Sequence, residues 1–398
     1  MTENRQPRHV PGPQHPVSAW LDRHLEELIA LLRELVECES PSDDPAAVTR
    51  CQELLAARLN GIATARYLPK GRAPGRNLLL DFDLPGPKRK LPGRILGVGH
   101  ADTVWPIGTL QTMPFRRADG RLWGPGVLDM KAGLVFFAFA MRALRELDLP
   151  VRRKVSMWVV SDEEVGSPGP RAHTEALAKE SAAVLVLEPG TGLDGRLKTA
   201  RKGVGAYTVA VRGVAAHAGV DFGAGASAIL ELARQLERIA GITDLGRGIT
   251  VNPGVIRGGS RSNVIAAEAS AEVDVRVARL RDAAIVDRRL HALRPVDSRC
   301  SLTVTGGLNR PPMERTAGVA TLFRTARALA RTHLGLTIME SATGGGSDGN
   351  FTSALGVPTL DGIGAVGEGA HAQHESLLES RIVDRAALLA LLVSHLGQ

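Results

Sequence analysis

Apolar residues recur at helical spacing near the start of the chain. From Val17 to Val36 they fall three or four positions apart, which predicts one amphipathic helix. The segment Ser42-Asp43-Asp44-Pro45 then offers an N-cap and a proline for the first helical position, so a second helix is predicted to follow it. The chain is therefore predicted to open with a pair of helices.

Alternating strand and helix patterns come next. Short apolar or β-branched runs predict strands at residues 76–82, 95–98, 155–160 and 184–187. A long amphipathic stretch, Lys131–Leu147, predicts a helix between the second and third of them. This alternation is typical of an α/β fold in which helices sandwich a mainly parallel sheet.

The pattern changes between residues 202 and 311 and then returns. Strands are predicted there at 207–211, 249–256 and 271–277, and helices at 226–239 and 282–293. The later part predicts helices at 317–333 and 382–396, a glycine-rich turn at 344–349 and a strand at 357–360. We therefore predict an α+β domain (202–311) inserted into a main domain built from residues 1–201 and 312–398, with 1–16 as a flexible tail.

Composition excludes several classes of protein. The 398 residues carry a net charge of +7, but the Arg and Lys residues form no stripe, so nucleic acid is not an expected partner. Cys38, Cys51 and Cys300 have no CxxC spacing, which argues against a disulfide framework and a thiolate zinc site. No apolar run approaches the roughly 18 residues of a membrane span, and the polar N-terminus lacks the apolar core of a signal peptide. We expect a cytoplasmic protein without a membrane partner.

A histidine and two acids follow predicted strands. The segment Gly99-His100 comes directly after the run 95–98. Asp102 points to the same side of an extended backbone as His100, where a carboxylate can fix the second ring nitrogen of a metal-binding histidine. Glu163 and Glu164 follow the run 155–160. Beside a metal, one such carboxylate can bind while its neighbour takes a proton from water. Turn capping and a solvated acidic loop are the alternative explanations.

Three further candidates lie at turns. Glu188 ends the run 184–187, and Asp129 stands in a Gly/Pro loop before the long helix, where an ordinary N-cap is the alternative role. For a bridging Asp129 we predict strain at the Asp129–Met130 bond, including a cis peptide. His371 lies in a glycine loop, with His374 as the competing ligand. Two histidines and three carboxylates without sulfur suit a pair of Zn²⁺ ions, and the same ligands accept Co²⁺ or Mn²⁺.

Five motifs together resemble one enzyme family. They are GHADTV (99–104), GPGVLDMKAG (124–133), SDEEVGS (161–167), LEPG (187–190) and GEGAHAQHE (367–375). In this order they resemble the zinc metallopeptidases that include glutamate carboxypeptidase of the carboxypeptidase G type, acetylornithine deacetylase and succinyl-diaminopimelate desuccinylase. The resemblance implies that one zinc is bound by His100 and Glu188 and the other by Glu164 and His371. It further implies that Asp129 bridges them and that Glu163 is the general base.

The inserted segment resembles the lid and dimerisation domain of that family. His217 matches a lid histidine that stabilises the oxyanion in the partner subunit's active site, which implies a homodimer. Asn263 and Arg276 match residues that bind the substrate carboxylate. Arg310 would add a second cation for the substrate, and Gly345 lies in a turn that resembles the family's substrate-binding glycine loop. Ala266 departs from the pattern, because many members carry proline there.

The resemblance implies an amide hydrolase whose substrate is a small molecule or short peptide with a free carboxylate. Release of a C-terminal glutamate from N-acyl or folate-like compounds is the expected reaction, and an N-acyl amino acid deacylase is the alternative. A dinucleotide-dependent enzyme is disfavoured because Gly97-Val98-Gly99 lacks the third glycine of that fingerprint. A non-catalytic binding protein would have lost a ligand or the base, and none is lost here.

Overall fold

The computed structural model describes residues 15–68 and 75–398. In chain order the helices are α1 (Pro16–Arg23), α2 (Leu25–Glu37), α3 (Pro45–Arg58), α4 (Ala132–Glu146), α5 (Arg171–Lys179), α6 (Ala228–Ala240), α7 (Leu280–His291), α8 (Ala317–Leu334), α9 (Gly349–Ala354) and α10 (Ile382–Leu396). The first strands are β1 (Ala63–Leu68), β2 (Asn77–Phe82), β3 (Leu91–His100), β4 (Arg116–Ala118), β5 (Arg121–Trp123), β6 (Arg153–Val160), β7 (Ser181–Val186) and β8 (Leu197–Arg201). The remaining strands are β9 (Gly203–Arg212), β10 (Thr250–Gly258), β11 (Glu268–Val277), β12 (Ser301–Arg310), β13 (Glu340–Thr343), β14 (Thr359–Leu360), β15 (Gly367–Glu368) and β16 (Ser376–Leu378).

The chain divides into two compact units. The first contains Met1–Lys198, Ala317–Ser341 and Val357–Gln398, and the second contains Thr199–Thr316 and Ala342–Gly356. The glycine-rich turn at 344–349 thus belongs to the second unit.

The first unit is built on a six-stranded mixed sheet in the order β1-β2-β6-β3-β7-β14. β6, β3, β7 and β14 run parallel, whereas β1 and β2 pair antiparallel at one edge. Helix α4 packs against α1, α2 and α10, and it is buried on every face rather than amphipathic as its sequence suggested. Gly133 lets α4 approach the backbone just after β7, because a Cβ there would collide with the carbonyl of Leu187. The predicted α/β fold is confirmed.

Two predictions at the start of the chain need correction. The single helix expected from Val17 to Val36 is divided at His24, which joins α1 to α2. The second helix begins as predicted, since the Asp44 side chain accepts the backbone N–H groups of Ala46 and Ala47. The tail predicted for residues 1–16 lies outside the described residues up to position 14, and Pro16 already belongs to α1.

The second unit contains a four-stranded antiparallel sheet in the order β10-β11-β9-β12. Alternate residues of β9 and β11 are buried, as expected for a sheet with one covered face. Helices α6 and α7 contact this sheet. The sequence pattern did not predict β12, whose glycine pair Gly306-Gly307 lies inside the strand.

Candidate metal centre

Three of the predicted ligand segments follow neighbouring parallel strands. His100 is the last residue of β3, Glu163 and Glu164 form a 3₁₀ turn just after β6, and Glu188 lies two residues beyond β7. Because β6, β3 and β7 are adjacent and parallel, their carboxyl ends meet at one edge of the sheet. The fold of the sheet therefore brings these side chains together.

The other two segments are joined by a small antiparallel sheet. Asp129 lies in a π-helical turn (Val127–Lys131) shortly after β5, and His371 lies in the loop between β15 and β16. Strand β16 pairs with β5, with Ser376 opposite Trp123. His371 has a φ of 63°, a left-handed conformation that is uncommon for histidine and typical of functional loops.

The Asp129 carboxylate lies between the two imidazoles. Its Oδ1 is 3.4 Å from His100 Nε2, and its Oδ2 is 3.4 Å from His371 Nε2. His100 Nε2 is also 3.7 Å from Glu188 Oε1, and His371 Nε2 is 3.2 Å from Glu164 Oε2. The structure thus brings together all five residues that the sequence named as ligands. Among the described residues, His374 has no ion pair with a carboxylate.

Glu163 is part of the same cluster. Its carboxylate oxygen lies within 4.8 Å of the ligand atoms of His100 and Glu188, and a second group of this kind contains His100, Asp129 and Glu164. On distance alone, Glu163 can be a ligand as well as a base.

Asp102 contacts two of these segments. The carbonyl of Asp102 is 2.9 Å from His100 Nδ1, whereas its carboxylate Oδ1 is 3.4 Å away, so the shorter contact is to the backbone and not to the side chain that we predicted. The carboxylate accepts the backbone N–H groups of Glu163 and Glu164 at 3.1 Å and the hydroxyl of Ser42 at 2.7 Å. Sequence reasoning considered Ser42 only as part of a helix cap and did not predict this contact with Asp102.

The donor set fits divalent cations. A carbonyl only accepts, so His100 Nδ1 carries the proton and the lone pair of the neutral ring is on Nε2, which faces Asp129 and Glu188. Among the described residues, no group donates a hydrogen bond to the buried Oε1 of Glu164. The predicted ligands supply three carboxylates and two imidazoles, without sulfur. Such a set suits Zn²⁺ and related ions.

The directions in which the pKa values of the two histidines and Asp129 shift agree with this donor set. Hydrogen bonds to Asp129 and Glu164 raise the pKa of His371 to about 10. Burial opposes protonation of His100, but Asp102 and Asp129 raise its pKa well above the usual range. Burial likewise opposes ionisation of Asp129, yet the two histidines hold its pKa far below the ordinary value. The site therefore favours cations at both imidazoles.

Two predictions about Asp129 can be compared with the backbone. The Asp129–Met130 peptide is cis, as predicted. The alternative role as an N-cap is wrong, because α4 begins at Ala132 and has no side-chain cap.

The residues predicted in the inserted segment lie in two groups within the second unit. His217 forms a β-bridge with Val264, and the carbonyl of Asn263 accepts the N–H of Ala218, so His217 and Asn263 are near neighbours. His217 Nδ1 accepts the N–H groups of Gly219 and Val220, which puts the proton of the neutral ring on Nε2.

The second group surrounds the glycine-rich turn. Arg276 is ion-paired with Asp274 at 2.9 Å and donates to the carbonyl of Gly344. Arg310 is buried and pairs with Asp348 at 3.1 Å. The carbonyl of Gly345 accepts a hydrogen bond from Arg201. Sequence reasoning missed Arg201, whose position at the end of β8 gave no separate signal.

Comparison with known proteins identifies the family. Residues 97–395 match the model of peptidase family M20/M25/M40. Carboxypeptidase G2 of Pseudomonas sp. (strain RS-16) is 28% identical over 377 residues, covering 93% of this chain and 89% of that protein. Acetylornithine deacetylase of Erwinia tasmaniensis is 27% identical over 305 residues, covering 73% and 78%. The crystal structure of aminopeptidase PepT from Bacillus cereus ATCC 10987 has a TM-score of 0.75 at 21% identity, covering 94% of this chain and 99% of that one.

These comparisons confirm the predicted family resemblance. Among the described residues, no helix has the length and apolar character that a membrane crossing requires. The chain belongs to peptidase family M20/M25/M40 and is a metal-dependent hydrolase that acts on peptide or amide bonds.

Proposed function

We propose that the protein is a di-zinc carboxypeptidase that releases a C-terminal amino acid, glutamate, from N-acyl or folate-like substrates. The observation that carries the proposal is the position of the Asp129 carboxylate, with one oxygen 3.4 Å from each of two imidazole nitrogens. A carboxylate between two histidines, each with a second acid of its own, is suited to holding two cations a few ångströms apart.

In this proposal, His100 and Glu188 would hold one ion, Glu164 and His371 would hold the other, and Asp129 would serve as a ligand shared by the two. The bound ions would supply Lewis acidity and a lowered pKa for water. Glu163 takes a proton from the attacking water and delivers it to the leaving amine. Co²⁺ and Mn²⁺ are alternative ions for the same ligands.

The substrate's free carboxylate is proposed to bind Arg276 and Asn263. The Arg276 side chain is 32% exposed and can exchange its contact with Asp274 for a substrate carboxylate, in a forked, charge-assisted contact. Arg310 is 8% exposed and already paired with Asp348, so we assign it to ordering the turn that contains Gly345. Mutation of Arg276 should therefore raise KM more than mutation of an exposed arginine elsewhere.

His217 is proposed to stabilise the oxyanion in the partner subunit of a homodimer. Its Nε2 proton makes it a donor, and a single such donor contributes on the order of 3–4 kcal/mol to catalysis. The inserted segment 202–311 would then be the lid and dimerisation domain, between the two parts of the catalytic domain at 1–201 and 312–398. Sedimentation equilibrium tests the dimer. A His217→Ala protein that stays dimeric with unchanged kcat contradicts the role.

The alternative function is an N-acyl amino acid deacylase, which the similarity to acetylornithine deacetylase favours. N-acyl amino acids that differ only in the leaving residue distinguish the two. A preference for glutamate as the leaving residue of at least tenfold in kcat/KM supports the carboxypeptidase. Equal rates across the panel support the deacylase.

Glu163→Gln tests the catalytic assignment. A general base contributes roughly 10²–10⁴-fold, so kcat should fall by that factor while two metal ions per chain remain bound. The distance of Glu163 from His100 and Glu188 also permits a role as a ligand. In that case, the metal content and the activity of the variant fall by the same factor. Metal content measured by atomic emission, together with kcat, decides between the roles. A fully active Glu163→Gln protein would refute both.

A further inference from the structure

A buried carboxylate outside the ligand set contacts the segment that carries Asp129. Glu375 lies four positions after His371, and its side chain is 1% exposed. Its Oε1 accepts the backbone N–H groups of Leu128 at 2.9 Å and Asp129 at 3.0 Å. Its Oε2 accepts the N–H of Gly126 at 2.9 Å and the indole N–H of Trp105 at 2.8 Å.

These four hydrogen bonds use the acceptor capacity of an ionised carboxylate almost completely. Burying a lone carboxylate is costly, and four donors directed at it offset that cost. Because its oxygens are engaged and inaccessible, Glu375 neither touches substrate nor has an oxygen available to a metal. Its effect is on the backbone that it contacts.

The contacted backbone has few hydrogen bonds of its own: Val127 and Lys131 donate to the carbonyls of Gly124 and Gly126. The turn from Gly126 to Lys131 departs from helical dihedral angles at Asp129 and Met130. Its N–H groups at Gly126, Leu128 and Asp129 therefore have no regular helical partners, and the Glu375 carboxylate accepts all three.

We propose that Glu375 is a positioning residue that fixes the Asp129 carboxylate between the two imidazoles by holding the backbone on which it stands. The same side chain joins three segments of the site, because Trp105 follows the His100 segment and Glu375 itself belongs to the His371 segment. This inference rests on the proposed metal site, in which Asp129 contacts both ions.

Glu375→Gln is the sharpest test. Glutamine has the same shape, but only one of its terminal atoms accepts, so two N–H donors would face an NH₂ group. Residues that orient metal ligands typically contribute 10–100-fold to metal affinity. We expect Co²⁺ affinity, measured by titrating the metal-free protein in competition with a chromophoric chelator, to fall 10–100-fold. The visible spectrum of bound Co²⁺ should change as well, because the geometry of its ligands changes.

Glu231→Gln is the matched control. Glu231 is fully buried and accepts the backbone N–H groups of Val296 and Asp297, far along the chain from the metal ligands. A purely structural role predicts that both variants lose stability and that neither changes Co²⁺ affinity. A positioning role predicts loss of affinity in Glu375→Gln alone, with kcat reduced and KM nearly unchanged at saturating metal.

The outcomes separate the two hypotheses. If wild-type protein binds no Co²⁺, the proposed metal site fails. If wild type binds Co²⁺ and Glu375→Gln binds it equally well with the same spectrum, the positioning role is overturned. If Glu375→Gln does not fold, Trp105→Phe carries the test, since it removes one of the four donors. Affinity lowered severalfold in that variant supports the role, and unchanged affinity overturns it.

Discussion

Arg385 is a buried cation held by backbone carbonyls, and its removal should be strongly destabilising. Its side chain is 1% exposed. The guanidinium donates to the carbonyls of Gly364 at 2.7 Å and Gly195 at 3.0 Å, and also to that of Gly362. Burial lowers its pKa to about 10, which leaves the group charged at neutral pH. Through Gly364, whose N–H donates to the carbonyl of Glu188, this clamp supports a segment beside the metal centre.

The magnitude for Arg385→Met follows from two opposing effects. Methionine removes the cost of a buried charge, which favours the variant. It also leaves three buried carbonyls without their donor, at about 1–3 kcal/mol each. The three costs are not additive, and removal of the buried charge opposes them. We therefore expect the free energy of unfolding to fall by roughly 3 kcal/mol.

Urea unfolding of the metal-free protein, followed by tryptophan fluorescence, measures this change through the midpoint at constant slope. Arg33→Met is the control, because Arg33 makes an exposed pair with Glu37 on the same helix and a contact 5.9 Å from the centre of the Phe115 ring, and its loss should change stability by about 1 kcal/mol or less. If Arg385→Met unfolds within about 1 kcal/mol of wild type, the carbonyls find other donors and the reasoning is wrong.

Three further predictions concern the site and the tyrosines. Asp102→Asn should lower metal affinity 10–100-fold, because one of its oxygens no longer accepts a backbone N–H, and isothermal titration calorimetry measures this. Metal removal by a chelator should lower the melting temperature reversibly, since an ion at 100 times its Kd contributes about 2.7 kcal/mol; a melting temperature insensitive to chelator contradicts the site. Burial raises the pKa values of Tyr67 and Tyr207 above the ordinary value of 10.0. As the pH rises through 10, the unfolded chain therefore loses these protons before the folded protein does, and the free energy of unfolding falls. Ionisation followed at 295 nm tests this, and a folded protein that forms as much tyrosinate at pH 10 as the unfolded chain contradicts it.

The ligands were predictable because their positions follow from simple rules. Acids and a histidine directly after apolar runs indicate strand ends, and parallel neighbouring strands bring such ends together. His100 and Glu188 were found in this way. Asp129 and His371 lie on loops, where residue type and spacing alone left an N-cap and a competing histidine open, and only the resemblance separated them.

What the sequence could not indicate are contacts between segments far apart in the chain. Arg201 and Glu375 act through backbone groups, and no side-chain pattern records a backbone partner. The division at His24 is equally invisible, because apolar spacing continues across it.

Two acids that are not proposed as ligands stand in an analogous relation to the site. Asp102 follows His100 and accepts the backbone N–H groups of Glu163 and Glu164. Glu375 follows His371 and accepts the backbone N–H of Asp129. In each case, a carboxylate close in sequence to one of the two histidines accepts backbone N–H groups from another segment, and that other segment carries acids of the metal site.

These hydrogen bonds between segments have a physical reason. Strand ends are positioned by the sheet, whereas the turns that carry the clustered acids repel one another and have few regular backbone partners. A buried carboxylate that accepts several N–H groups orders such a turn without adding a mobile charge to the cluster. As a result, the position of the acids on one segment depends on the position of a neighbouring segment that carries a histidine ligand. Loss of the Asp102 or Glu375 carboxylate should therefore displace ligands on two segments at once. For this reason we expect loss of metal affinity rather than loss of stability alone.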